Sequence, residues 1–203
     1  MAIINQATKE LQVKIVYYGP GKGGKTTNLE QVHANVQNVQ EKGKLVSLAT
    51  SSDRTLFFDF LPIEAMAIKG FKTKFQLYTV PGQVIYNTTR QLVLRGVDGI
   101  VFVADSQYEK MAENVESFQN LEDNLKTQKF NLADIPYVLQ YNKRDLPNAA
   151  PVEYMDFLLN NRETRVPSFQ SVAAKSEGVF DTLNMITRML LNKFINENAR
   201  KSA

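Results

Sequence analysis

Gly19-Pro20-Gly21-Lys22-Gly23-Gly24-Lys25-Thr26 fits the pattern G-x-x-x-x-G-K-[ST], in which a strand runs out into a glycine-rich turn and a helix begins. The glycines let successive backbone N–H groups point into one concavity, where phosphate oxygens are held. The helix that follows turns the positive end of its dipole to the same spot. In such a loop Lys25 reaches the β- and γ-phosphates and the Thr26 hydroxyl binds Mg²⁺. Gly19, Gly21, Lys22, Gly23, Gly24 and Thr27 complete the cradle.

The flanks have the required character. Residues 11–18, rich in Val, Ile and Tyr, read as a strand, and residues 25–40 as a helix. Residues 71–80 alternate bulky and polar side chains, as a strand does. Residues 99–104 (GIVFVA) and 136–141 are short apolar runs, the pattern of fully buried strands. Residues 109–127, 152–161 and 178–198 read as helices, and 168–174 as a weaker strand. Residues 44–62 read as strand material interrupted by a polar, functional loop at 50–55. Strand and helix in repetition predict an α/β fold with a mainly parallel central sheet and helices on both faces. No repeat, low-complexity segment or linker divides the chain, so 1–203 is expected to form one domain, its last residues 199–203 frayed.

Composition narrows the chemistry. The chain has 203 residues, a net charge of +3 and no cysteine. That rules out thiolate metal sites, a Cys nucleophile and prenyl or palmitoyl anchors. Ala2 stands where N-myristoylation needs glycine. No export signal is visible, so a cytoplasmic protein without a lipid anchor is expected. Basic residues form no long block, so nucleic acid is not an expected partner.

A second motif chooses the base. Asn142-Lys143-Arg144-Asp145 lies at the end of an apolar run. An Asp carboxylate accepts two hydrogen bonds from an edge bearing adjacent N–H donors. Guanine has that edge at N1 and N2, and adenine does not; a site built on such a pair rejects the wrong base strongly. Ligands of open α/β sheets bind at the C-terminal ends of strands, where both motifs fall.

The order GPGKGGKT, DRT, VPGQ, NKRD, AAK resembles the Ras superfamily, and more closely the bacterial MglA-type polarity GTPases. The Phe102-Val-Ala-Asp-Ser106 stretch is similar to Arf proteins. The strings KIVYYGPG, DRTLFFDFLP, LYTVPGQ, GVDGIVFVADS and YNKRDLP carry the likeness over most of residues 1–190. The resemblance implies a Ras-like, three-layer P-loop NTPase that binds GTP and GDP with Mg²⁺ and hydrolyses GTP slowly without an activating protein. It implies that Gln83 orients the attacking water, that Arg54 acts as a built-in arginine finger and that Thr55 senses Mg²⁺ and the γ-phosphate. Gly82 would bring its N–H to that phosphate. Asn142, Lys143, Asp145, Ala173, Ala174 and Lys175 would hold the guanine base. It further implies a monomeric regulator of bacterial cell polarity and surface motility. Its partners would be a roadblock/LC7-type (MglB-like) activating protein, an exchange factor and polarity effectors, and it would be recruited to a cell pole.

Two positions depart from the commoner pattern. Thr79 stands where most Ras-like proteins carry an Asp that holds Mg²⁺ through water, and Asp53 or Asp59 is a candidate to compensate. Ala173 stands where serine is common. His33 is the only histidine and falls within the first expected helix, so no catalytic role is expected of it. The stripe Val179, Phe180, Leu183, Ile186, Leu190, Leu191, Phe194 is read as core-facing, a partner or membrane face being the alternative. A metabolic P-loop kinase is the other enzymatic reading, but NKRD has no purpose there. A nucleotide-binding scaffold with negligible turnover is the third.

Overall fold

The computed structural model describes residues 3–5, 8–35, 41–47, 59–68 and 71–201. The expected 50–55 loop, with Asp53, Arg54 and Thr55, lies outside them, as does the end of the first helix at 36–40.

In chain order the elements are β1 (Ile3–Asn5), β2 (Glu10–Tyr18), α1 (Lys25–Asn35), β3 (Glu41–Lys42), β4 (Val46–Ser47), β5 (Asp59–Ile68), β6 (Phe71–Thr79), α2 (Asn87–Leu94), β7 (Gly99–Asp105), α3 (Met111–Thr127), β8 (Tyr137–Asn142), α4 (Val152–Leu159), β9 (Ser168–Gln170) and α5 (Val179–Lys201). Among the described residues the strands form one sheet, in the order β3-β5-β6-β2-β7-β8-β9, with β1 on β2 and β4 on β5. β6, β2, β7, β8 and β9 are mutually parallel. β5 runs antiparallel to β6 and carries β3 and β4 along its other edge.

β7 and β8 are buried along their whole length. Helices cover both of their faces, which is why they read as unbroken apolar runs rather than alternating ones. On one face Phe118, Leu121 and Leu125 of α3, Leu94 of α2 and Met155 of α4 pack on Val16, Ile100, Phe102 and Leu139. On the other, Leu29 and Val32 of α1 and Val179, Ile186 and Leu190 of α5 pack on Ile15, Tyr17, Val101 and Val138. This is the three-layer α/β architecture that the alternation predicts. The α5 stripe is thereby assigned to the core at Val179, Ile186 and Leu190.

Gln140 is the polar exception inside β8. Its Nε2 donates to Asn28 Oδ1 (3.0 Å) and Thr182 Oγ1 (3.0 Å), and its Oε1 accepts from Asn28 Nδ2 (2.8 Å). A buried amide so satisfied costs little and ties α1 and α5 to the centre of the sheet.

One expected strand is shorter than its pattern. The strand expected at 168–174 ends at Gln170; residues 173–175 wind into a 3-10 turn that closes on Ser176 at φ +63°. Residues 87–94, to which no element was assigned above, form α2.

Candidate functional site

β2, β6, β7 and β8 end together: Tyr17 lies beside Thr79, Tyr18 beside Phe102, and Asp105 beside Asn142. The loops that leave these ends build the site.

The loop after β2 needs its glycines. Gly19 has φ +141° and Gly24 φ +102°, and Lys22 takes a left-handed conformation at +59°. A Cβ on Gly19 would stand 2.1 Å from the Val103 carbonyl oxygen, and one on Gly24 2.1 Å from Asn142 Nδ2. The chain therefore closes tightly around a central ammonium. Lys25 is 6% exposed, and its Nζ donates to the carbonyls of Gly19 (3.0 Å) and Pro20 (2.6 Å). A buried cation ringed by turning backbone is what a polyphosphate requires.

A cleft of about 300 Å³ opens above it, lined by Gly21, Lys22, Gly24, Lys25, Thr26 and Thr27 on one wall and Val80, Gly82, Gln83 and Tyr86 on the other. The walls touch at one point: a Cβ on Gly82 would lie 2.3 Å from Gly21 Cα. Gln83 is exposed at the rim. Thr79, 1% exposed, ends β6 with no carboxylate. Among the described residues no group of three acidic or His side chains gathers here. Mg²⁺ keeps several waters and takes substrate phosphates as ligands, so the Thr26 hydroxyl beside such a cradle fits it without a protein cage.

A second cavity of about 260 Å³ shares Lys22, Gly24 and Thr27 with the first and continues to Asn142, Lys143, Asp145, Leu146, Val172, Ala173 and Ala174. The described candidate residues thus divide between two halves of one groove, the expected phosphate half and the expected base half. Gly19 and Gly23 lie beneath it, shaping the backbone. Lys175 flanks the far end, its Nζ 3.6 Å from Asp145 Oδ2.

Two side chains act differently from a simple lining role. Asn142 is 3% exposed. Its Nδ2 donates to the Gly23 carbonyl (2.8 Å), and its Oδ1 accepts from Ala173 N–H (2.9 Å) and Ser171 Oγ (3.1 Å). It fastens the phosphate loop to the Ala173–Lys175 loop. Lys143, at φ +67°, is anchored by Asp105, whose Oδ2 accepts from its Nζ at 2.5 Å. Asp105 is itself fixed, its N–H and C=O bonded to the Asn114 amide. Asp105 and Tyr86 were not legible as site residues. The Asp of FVADS at the end of a buried strand was the one available signal for the former.

No described helix is long and apolar enough to cross a membrane. Residues 1–190 match the Arf, or ADP-ribosylation factor, family. The chain is 55% identical over 193 residues to the mutual gliding-motility protein MglA of Myxococcus xanthus, covering 95% of this chain and 97% of that one. It is 31% identical over 142 residues to the Ras-related protein Rab-13 of Mesocricetus auratus (68% and 66% of the two chains). The corresponding dog protein, from Canis lupus familiaris, is 29% identical over 140 residues, with the same coverage. With two such families of relatives over a phosphate cradle joined to a base pocket, the chain belongs to the Arf/Ras-like small GTPases and is of the MglA type.

Proposed function

We propose that the protein is a switch that binds GTP, hydrolyses it with Mg²⁺ and, through GTP-dependent partner binding, controls cell polarity and gliding motility. The observation that carries this reading is the continuous groove with the buried Lys25 ammonium at one end and the Asp145 carboxylate at the other. A kinase of small metabolites has no use for the second.

In the reaction a water oxygen bonds to the γ-phosphorus as the bond to the β,γ-bridging oxygen breaks, and the electron pair leaves with GDP. Positioning and charge neutralisation supply most of the catalysis. Lys25 neutralises the β- and γ-oxygens, the Gly82 N–H faces the γ-phosphate, and Gln83 at the cleft rim orients the water. Thr26 and Thr55 would hold Mg²⁺, which would supply further charge neutralisation. Arg54 provides the remaining positive charge in cis; an MglB-like roadblock-type activator sets Arg54 and Gln83 in place rather than lending an arginine. Because Thr79 brings no charge to the metal, turnover without that activator is slow. GTP orders 50–55 and 82–90, and hydrolysis releases them, so effectors and pole recruitment follow the nucleotide.

The test is single-turnover phosphate release from GTP-loaded protein with activator, in Mg²⁺ and in chelator, for wild type, Gln83→Leu and Arg54→Ala. Mg²⁺-dependent release that each substitution slows by roughly 10³-fold or more agrees with the proposal. Absence of release from wild type under all conditions would leave a nucleotide-binding scaffold.

A further inference from the structure

Among the described residues Arg90 is the largest side chain that solvent does not reach. Among the described residues no carboxylate pairs with it. Its Nε donates to the Pro81 carbonyl (2.8 Å), its Nη2 to the Gly82 carbonyl (2.6 Å) and its Nη1 to Asn120 Oδ1 (2.7 Å), with the Tyr18 hydroxyl at 3.5 Å. The guanidinium also lies 5.0 Å from the centre of the Tyr18 ring. A buried cation surrounded by neutral acceptors is costly to keep. What it holds is the loop that forms one wall of the phosphate cleft.

The geometry of the peptide bond makes that hold directional. In a trans peptide the C=O and the following N–H point opposite ways in one plane, and no cis bond occurs among the described residues. Turning the Pro81 carbonyl to Arg90 turns the Gly82 N–H away from it. Turning the Gly82 carbonyl to Arg90 does the same for the Gln83 N–H. Both N–H groups are thereby turned away from Arg90, while the Gly82 Cα itself packs closely against Gly21 of the loop after β2. The guanidinium reaches two successive carbonyls and an amide from three separate nitrogens fixed in one plane, a spread that the single nitrogen of a lysine lacks.

We infer that Arg90 is a positioning residue for hydrolysis: it presents the Gly82 and Gln83 backbone to the γ-phosphate, and α3 sets its grip through Asn120. This rests on the GTPase reading above. The fork is itself held. Asn120 accepts from Arg90 and from the Tyr18 hydroxyl (2.7 Å) and donates to Asn87 Oδ1 (3.0 Å). Asn124 donates to Asn87 Oδ1 (2.7 Å), to Tyr18 OH (3.0 Å) and to Asn120 Oδ1 (3.1 Å), and accepts from Gln91 Nε2 (3.0 Å). β2, α2 and α3 are thus joined by one hydrogen-bonded set behind the cleft wall. GDP has no γ-phosphate and does not call on that wall, so its binding is independent of Arg90.

The experiment compares wild type, Arg90→Lys and Asn120→Ala for GDP affinity, melting in excess GDP and activator-stimulated single-turnover GTP hydrolysis. Lysine keeps the charge and loses the fork. Hydrolysis is expected to fall about 10- to 100-fold in Arg90→Lys and about fivefold in Asn120→Ala, with GDP affinity within about threefold by the same reasoning. Unchanged hydrolysis in the variants, with wild type active, overturns the inference and leaves the GTPase reading intact. So does a parallel loss of GDP affinity and rate, which marks a merely structural role. If Arg90→Lys does not fold, Asn120→Ala decides alone. A wild type that hydrolyses no GTP overturns the underlying reading.

Discussion

The amide of Asn142 donates to the Gly23 carbonyl at 2.8 Å and so joins the proposed base half of the groove to the proposed phosphate half. Its oxygen accepts from Ala173 N–H at 2.9 Å on the opposite side. Three loops from three strand ends are locked by one side chain. A bound nucleotide would span the same junction.

Replacing that side chain therefore has two effects. Asn142→Ala leaves buried polar groups on Gly23, Ala173 and Ser171 without partners, costing about 2 kcal/mol and lowering the melting temperature by about 4–8 °C. GDP dissociation is expected to quicken about tenfold or more, because the two halves move independently. Dissociation of a fluorescent GDP measures it. Unchanged dissociation with a lowered melting temperature would confine Asn142 to stability.

Gly82→Ala tests the contact between the cleft walls. The added Cβ would sit 2.3 Å from Gly21 Cα and 2.7 Å from Gly21 N, both backbone atoms that cannot swing aside. The wall bearing Gln83 must move away. The prediction is hydrolysis reduced about 10²-fold, with GDP binding nearly unchanged. Wild-type turnover in Gly82→Ala would show that this approach is not needed for the reaction.

The two site motifs were visible in sequence because they rely on local chemistry: glycine conformation at 19 and 24, and a carboxylate at 145. The central strands were visible because burial on both faces leaves nothing but apolar side chains in 99–104. The network behind the cleft was not visible. Tyr18, Asn87, Arg90, Asn120 and Asn124 come from three elements and look like ordinary surface choices one at a time. Their meaning lies in helix α2, and its eight residues carry no acidic first turn and no side-chain cap to announce it. The end of β9 differs from the sequence pattern for a related reason. Apolar Val172 and Ala173 are buried and continue the strand pattern, yet they line the groove and lie beyond the last residue paired with β8.

Alkaline unfolding should be cooperative and begin near pH 10. Burial pushes the Tyr17 hydroxyl well up, and Tyr18, Tyr78 and Tyr137 are raised by burial as well. Tyr141 is raised by burial first and then by its hydrogen bond to Asp156 at 2.6 Å. Each has a higher pKa folded than unfolded, so its contribution is whole below the ordinary value of about 10. It is lost as pH climbs from there towards the folded value, because the unfolded chain releases the protons first. Absorbance of tyrosinate should therefore rise in two stages, the second coinciding with loss of circular dichroism. A smooth titration of all eight tyrosines with the fold intact would contradict the burial described here.

The central claim is that Asp145 makes this groove a guanine site, and competition against fluorescent GDP tests it most directly. Wild type should be displaced by GDP and GTP, and not by ADP, ATP or xanthosine diphosphate. In Asp145→Asn one acceptor becomes a donor, which suits the N1–H and O2 of xanthine and leaves guanine's N2 facing a donor; preference should pass to xanthosine diphosphate by 10²-fold or more, on the order expected when a buried pair is mismatched. Equal displacement of wild type by ADP and GDP, or unaltered guanine preference in Asp145→Asn, would contradict the account.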